Sequence, residues 1–140
     1  MKTWVSFYIF ACIVLSTVQV FSSEIDFLGW QSVTIGLKTP GENKDVKVIA
    51  SQNRQFEFDK FLIKIDGTEY KLNEDQLKLL NGYPLSSISL TYEVGNEKVG
   101  GDTIGIRLTE RFYQKDTLIN NIVRISINKR GLSITESKRN

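Results

Sequence analysis

The chain has 140 residues, with 18 basic and 16 acidic side chains, a formal net charge of +2, one cysteine and no histidine. Without histidine it lacks the commonest general base, the commonest zinc ligand and the usual catalytic triad. Basic and acidic residues are interspersed, whereas nucleic-acid binding needs a clustered basic surface. We therefore expect no nucleic acid as partner, no metal and no cofactor.

The N-terminal segment has the pattern of a secretory signal peptide. Lys2 is the only charged residue among residues 1–22, and an apolar run extends from Trp4 to Leu15. A basic start, an apolar centre of this length and a small residue at the cleavage position are typical of such peptides. We predict a signal peptide over 1–22, cleavage after Ser22 and a secreted or periplasmic protein.

The alternative is that this segment is kept as a membrane anchor. Residues 3–21 carry no charge, and this length approaches the ~20 residues that a helix needs to cross a bilayer. Polar residues near its end and a single anchoring lysine favour cleavage. The rest, residues 23–140, is predicted to be one domain without membrane association after cleavage. It has no cysteine, because Cys12 lies in the leader, and therefore no thiol chemistry.

Alternation of apolar and polar residues indicates antiparallel strands along this domain, each with one face on a core and one in water. In chain order the alternating segments are Ser32–Lys38, Asp45–Ala50, Arg54–Asp59, Ser87–Val94, Thr103–Thr109, Val123–Asn128 and Leu132–Glu136. With a hairpin in the middle of the chain, they amount to eight or nine strands. We predict an all-β fold, an antiparallel β-sandwich or barrel-like structure.

The hairpin in the middle of the chain is centred on Asp66 and Gly67. This dipeptide favours a type I′ turn, in which both residues have positive φ. A two-residue turn places Lys64 opposite Glu69, where opposite charges stabilise a strand pair. The stretch also resembles an acidic calcium loop, but the EF-hand positions counted from Asp66 are occupied by the wrong residue types. We therefore interpret it as scaffold.

One short α-helix is predicted directly after this hairpin, at about residues 74–81. Asn73 is a good N-cap, and Gln76 three residues later completes a capping box. The acidic residues Glu74 and Asp75 lie in the first turn, where the helix dipole favours them. The helix has only about two turns and must be held by packing on the sheet.

The glycine-rich segment Gly95–Asp102 lies between two predicted strands, which indicates a hairpin connection or a mobile flap. It opens no helix, so we do not interpret it as a phosphate-binding loop. We nominate Gly95, Asn96, Glu97 and Lys98 as candidate contact residues for a binding partner.

Aromatic residues supply the other candidate contacts. Arg111, Phe112 and Tyr113 combine residue types that are enriched in protein interfaces, although a loop whose aromatics fold inward is an equal alternative. Trp30 either seals one end of the core, which large aromatics favour, or projects as a binding anchor.

Paired carboxylates are the remaining catalytic option. Glu57 and Asp59 would share one face of a strand, and two close carboxylates suffice for glycoside hydrolysis. A solvated strand face is the simpler interpretation, and no nucleophile-elbow or phosphate-loop motif is present.

Together these features favour an exported binding protein without enzymatic activity. Its partner is expected to be another protein, as for an inhibitor or immunity-type module. A β-sandwich that binds carbohydrate or another small ligand is the first alternative, and a carboxylate-dependent hydrolase is the second.

Overall fold

The computed structural model describes residues 19–25, 30–38 and 44–139 of the chain. In this part of the molecule, nine strands form two antiparallel sheets that pack face to face, together with one short α-helix. This confirms the predicted all-β, sandwich-like fold. Most of the predicted leader, residues 1–18, lies outside the described residues.

The strands are β1 (Gln19–Ile25), β2 (Gln31–Lys38), β3 (Asp45–Gln52), β4 (Phe58–Ile65), β5 (Thr68–Lys71), β6 (Ser89–Glu93), β7 (Thr103–Gln114), β8 (Thr117–Asn128) and β9 (Gly131–Arg139). The helix α1 spans Glu74–Leu80, and 3-10 turns occupy Leu85–Ser87 and Glu97–Val99. Sheet A has the order β1-β2-β3-β4-β5 and sheet B the order β6-β7-β8-β9. Each sheet is thus a meander in which successive strands pair.

The core lies between the two sheets and is built from the inward half of each alternating strand. Sheet A contributes Val33, Ile35, Leu37, Val46, Val48, Ala50, Phe58, Phe61 and Ile63, and sheet B contributes Leu90, Ile104, Ile106, Leu108, Val123, Ile125 and Ile127. All of these side chains are buried, at roughly 1.5–3 kcal/mol of transfer free energy for each large one.

The central hairpin has the predicted geometry. Asp66 and Gly67 adopt φ values of 48° and 83°, Lys64 is opposite Glu69, and their side chains form an ion pair. The Asp66 carboxylate also accepts a hydrogen bond of 2.8 Å from the backbone N–H of Asp45. The acidic turn residue is therefore used to tie β3 to the hairpin, as the scaffold interpretation requires.

The helix begins at the predicted capping box. The Asn73 side chain accepts from the N–H of Gln76 at 2.9 Å, and the Gln76 side chain accepts from the N–H of Asn73 at 3.0 Å. Leu80 is fully buried, and Leu77 packs against the core. This apolar side holds the short helix on the sandwich.

The predicted strand Arg54–Asp59 is wrong over its first four residues, Arg54 to Glu57. Asn53 instead caps a turn, because its side-chain oxygen accepts from the N–H groups of Gln55 and Glu57, both at 2.9 Å. Phe56 has a φ of 60° and is exposed. The strand begins at Phe58, so the two phenylalanines do not share a core face.

Strand β1 is an addition that alternation does not predict. It pairs with β2 along its whole length, and the predicted cleavage after Ser22 lies inside it. The side chains from Phe21 to Ile25 are all exposed. Strand β1 is the edge strand of its five-stranded sheet, next to β2. Because β2 packs near β6, the edge strand of the four-stranded sheet, β1 extends beyond that sheet.

A buried glutamine joins sheet A to the segment that leads into sheet B. Gln52 ends β3 and is 1% exposed. Its Nε2 donates to the carbonyl of Tyr83 at 2.7 Å, and its Oε1 accepts from the N–H of Leu85 at 2.7 Å. Residues 83–85 lead from α1 into sheet B. One amide therefore satisfies a buried acceptor and a buried donor where the chain crosses between sheets.

Replacing Gln52 by methionine should lower the free energy of unfolding by about 2–6 kcal/mol, since two buried backbone groups lose their partners at roughly 1–3 kcal/mol each. Methionine keeps the length of the side chain. Urea denaturation measures the change, with Gln55→Met in the exposed turn as the matched control. Equal stability of the two variants would contradict the role assigned to this amide.

Candidate functional site

Two of the predicted contact regions lie at opposite ends of sheet B. The Gly95–Asp102 segment joins β6 to β7 and precedes the first residue of β7, Thr103. Arg111, Phe112 and Tyr113 lie at the far end of the same strand. Eight to ten residues of extended strand span about 30 Å, so the structure does not bring these regions together into one surface.

The Gly95–Asp102 loop is held by contacts within the loop and by a hydrogen bond from Arg130. The Asn96 side chain accepts from the N–H of Lys98 at 2.7 Å, and the carbonyl of Lys98 accepts from the Arg130 guanidinium. At Gly95 an added Cβ would lie 2.2 Å from the carbonyl oxygen of Gly101. Glycine is needed there because the two backbone segments approach too closely for any side chain.

Asp102 closes this loop at its base. Its carboxylate accepts a hydrogen bond from the Tyr92 hydroxyl and another from the N–H of Gly95 at 3.1 Å. These two bonds, in that order, lower the pKa of Asp102, and the nearby charges of Lys44 and Lys129 lower it further. The ionised carboxylate is therefore part of the loop's architecture.

A cavity of about 280 Å³ opens beside this loop, between the ends of the two sheets. Its lining combines apolar, aromatic and charged side chains: Lys44, Ile65, Tyr70, Glu97, Asp102, Ile104, Ile127, Asn128 and Lys129. We call it the end cavity. Its size and mixed lining suit a small polar ligand.

The two carboxylates of the end cavity are already committed to other contacts. Glu97 accepts from Lys129 at 2.6 Å, and Asp102 accepts from Tyr92 and Gly95. A general acid needs a carboxyl with a raised pKa, whereas the pKa of Asp102 is lowered. This arrangement favours charge complementarity with a ligand over acid catalysis.

The carboxylate pair proposed from the sequence is not formed. Glu57 lies in the turn before β4 and accepts from the Asn53 amide at 2.8 Å. Asp59 lies within β4 and accepts from the Ser51 hydroxyl. They do not share a strand face, because the strand begins after Glu57. The residues that the structure describes also contain no group of three or more potential metal-binding side chains.

The segment that contains Arg111, Phe112 and Tyr113 is a long hairpin and not a loop. Strand β7 continues to Gln114 and pairs with β8, with Phe112 opposite Ile119 and Tyr113 opposite Leu118. Lys115 and Asp116 form the turn with φ values of 48° and 64°. Both aromatics are thus carried on one strand of a paired hairpin and do not fold inward.

The end of this hairpin projects beyond the core. Phe112 follows Ile106 and Leu108 on the same strand face, yet it is 40% exposed, whereas they are buried. Tyr113 is 75% exposed and Leu118 is 40% exposed. We call residues 112–118 the hairpin tip. Leu118 could not be predicted as a contact residue from the sequence, because only the register of the hairpin places it beside Tyr113.

Trp30 is partly buried and lies immediately before β2. It already makes contacts within the fold. It is neither a fully buried core residue nor a freely exposed aromatic platform.

Asparagine at position 102 should lower the melting temperature at neutral pH, because the ionised carboxylate is the favoured partner of Tyr92 and Gly95. With a folded-state pKa below the ordinary value of about 3.9, the contribution of Asp102 is complete above about pH 4 and disappears as the pH falls through the lowered pKa. The difference between wild type and Asp102→Asn should therefore shrink in acid.

Thermal unfolding between about pH 2 and pH 8 measures this difference. Asp116→Asn is the matched control, because it removes one carboxylate from an exposed turn where asparagine tolerates the same conformation. A gap between wild type and Asp102→Asn that stays constant through the acid range would contradict the assigned role.

None of the helices in the described residues has the length and apolar character of a membrane span. No protein-family model matches the chain, and neither a search of curated proteins nor a search of solved structures gave a match. The function proposed for it therefore depends on its own side chains.

Proposed function

We propose that this chain is an exported, non-enzymatic binding protein of the inhibitor or immunity type, which docks its hairpin tip into an apolar crevice of another protein. The observation that carries the proposal is the exposure of Phe112, Tyr113 and Leu118 at the end of a paired hairpin. Export follows from the predicted signal peptide.

The hairpin tip has the chemistry of an interface centre. Aromatic and arginine residues are enriched among the residues that dominate binding energy, and Arg111 directly precedes the two aromatics. Lys115 and Asp116 form the turn beyond these residues, so the sides of the hairpin tip would make the apolar contact while the turn stays in water. The composition therefore follows the usual order of an apolar centre surrounded by solvated polar groups.

The hairpin also lowers the cost of binding. Its two strands are paired up to Gln114 and Thr117, so the backbone of the tip is ordered before a partner arrives. Ordering of flexible loops on binding opposes association, and a preformed element avoids much of that loss. A short projecting ribbon also reaches into a crevice that a flat sheet face cannot enter.

Binding of a small polar ligand in the end cavity is the second candidate. The end cavity is the observation that favours it, since its wall combines apolar side chains such as Ile104 and Ile127 with charged and polar ones. This is the small-ligand alternative predicted from the sequence, with the end cavity in place of Trp30 as its site.

Tyr113→Ser combined with Leu118→Ser should weaken partner binding at least tenfold, which corresponds to about 1.4 kcal/mol. The melting temperature should change little, because both side chains are exposed. Cross-linking and pull-down from the exported fraction, followed by titration of the captured protein, measure the effect.

Phe56→Ser is the matched control, since it removes an exposed aromatic side chain from a turn of sheet A. The proposal requires that this control bind as wild type does. A partner that binds all three proteins equally would refute the assignment of the hairpin tip, and product formation in a turnover assay without any partner would refute the binding function.

A further inference from the structure

The outer face of sheet B carries a groove that shares only Arg111 with the surfaces described above. It has a volume of about 430 Å³ and is lined by Pro84, Ser87, Ser89, Arg107, Thr109 and Arg111. We call it the basic groove. Its lining is entirely polar apart from one proline, and its only charged groups are two guanidinium groups.

The strand register fixes the two arginines on the same side. Arg107, Thr109 and Arg111 alternate along β7 with the buried Ile106 and Leu108, so they face away from the core. Four residues of strand separate the two arginine Cα atoms by about 13 Å. Their long side chains can therefore converge on one group held above Thr109.

The charges in this part of the sheet are not balanced. Arg107 is directly opposite Arg124, and like charges in that position repel. Glu93 accepts from Arg124 at 2.7 Å and so neutralises one of the two. Among the described residues, neither Arg107 nor Arg111 forms an ion pair or a side-chain hydrogen bond. The basic groove thus has two guanidinium groups with unused donors.

The wall beside the two arginines is fixed by hydrogen bonds. Ser87 Oγ donates to the carbonyl of Pro84 and accepts from the N–H of Thr109, both at 2.8 Å. Ser89 lies opposite Arg107, but its Oγ is buried, so this hydroxyl is not exposed to a ligand in the groove. The charged donors that a ligand meets there therefore belong to the two guanidinium groups.

We propose that the basic groove binds a ligand through a phosphate or sulfate group, with Arg107 and Arg111 contributing charge-assisted hydrogen bonds. Guanidinium groups match the geometry of these oxyanions and can bond to two oxygens at once. The groove shares Arg111 with the surface proposed for docking of the hairpin tip, and its other residues lie outside that surface.

Titration with inorganic phosphate and inorganic sulfate at constant ionic strength tests the proposal, with chloride as the balancing anion. Nuclear magnetic resonance of backbone amides and arginine Nε–H groups reports the site of binding. We expect saturable shifts at Ser89, Arg107 and Arg111, and at least tenfold weaker binding in Arg107→Gln.

Arg54→Gln is the matched control, because it removes an equal charge from an exposed turn of sheet A and should leave anion binding unchanged. Equal loss in Arg54→Gln and Arg107→Gln, or shifts spread over all basic residues, would reduce the effect to general charge attraction and overturn the site. The absence of saturable shifts in wild type would also overturn it.

Two further comparisons separate the possible ligand sources and the two proposals. A phosphorylated and a sulfated monosaccharide, each titrated against its parent sugar, identify which anion the groove prefers. Because Arg111 adjoins both surfaces, Arg107 is the residue that distinguishes them. Arg107→Gln should weaken anion binding at least tenfold and keep partner capture, whereas Tyr113→Ser with Leu118→Ser should weaken partner capture and keep anion binding.

Discussion

The side chain of Gln52 holds the chain at the point where it passes from one sheet to the other. Each sheet is a meander whose strands pair in sequence, so few backbone hydrogen bonds can join sheet A to sheet B. Besides apolar packing, the crossing is held by the two buried bonds from this amide to Tyr83 and Leu85. Asn81 and Gly82 before it bond to Phe58 and Phe56, and Ser87 after it bonds to Thr109. Because packing alone is non-directional, the amide supplies the buried directional contact at the point where the second sheet begins.

The hairpin tip can serve as a binding surface only if the strands that carry it are held in place. The first half of β7 and the second half of β8 are buried against sheet A. The residues next to the turn that joins them lie beyond that sheet, so the tip is ordered by the part of the hairpin that is packed. The same strands present the basic groove on their outer face. One pair of strands therefore carries both an apolar end and a cationic side, and the proposed contacts need no moving element.

Features with local causes could be predicted from the sequence. The turn at Asp66–Gly67 and the capping box of Asn73 and Gln76 depend on neighbours a few residues away. The extension of β7 could not, because alternation marks a strand only where one face is covered, and Phe112 lies beyond the covering sheet. The turn at Phe56 was missed because two phenylalanines at period two imitate a strand. The role of Gln52 and the position of Ser89 depend on tertiary contacts that no local pattern contains.

Amide hydrogen exchange at Leu85 tests the central claim most directly, namely that a buried glutamine fixes the junction on which the functional strands depend. The Leu85 N–H should exchange as slowly as the N–H groups of Ile106 and its neighbours in the packed part of β7, since both would open only with the fold. Exchange at Leu85 as fast as at the exposed turn residue Lys115, with β7 still protected, would contradict the account.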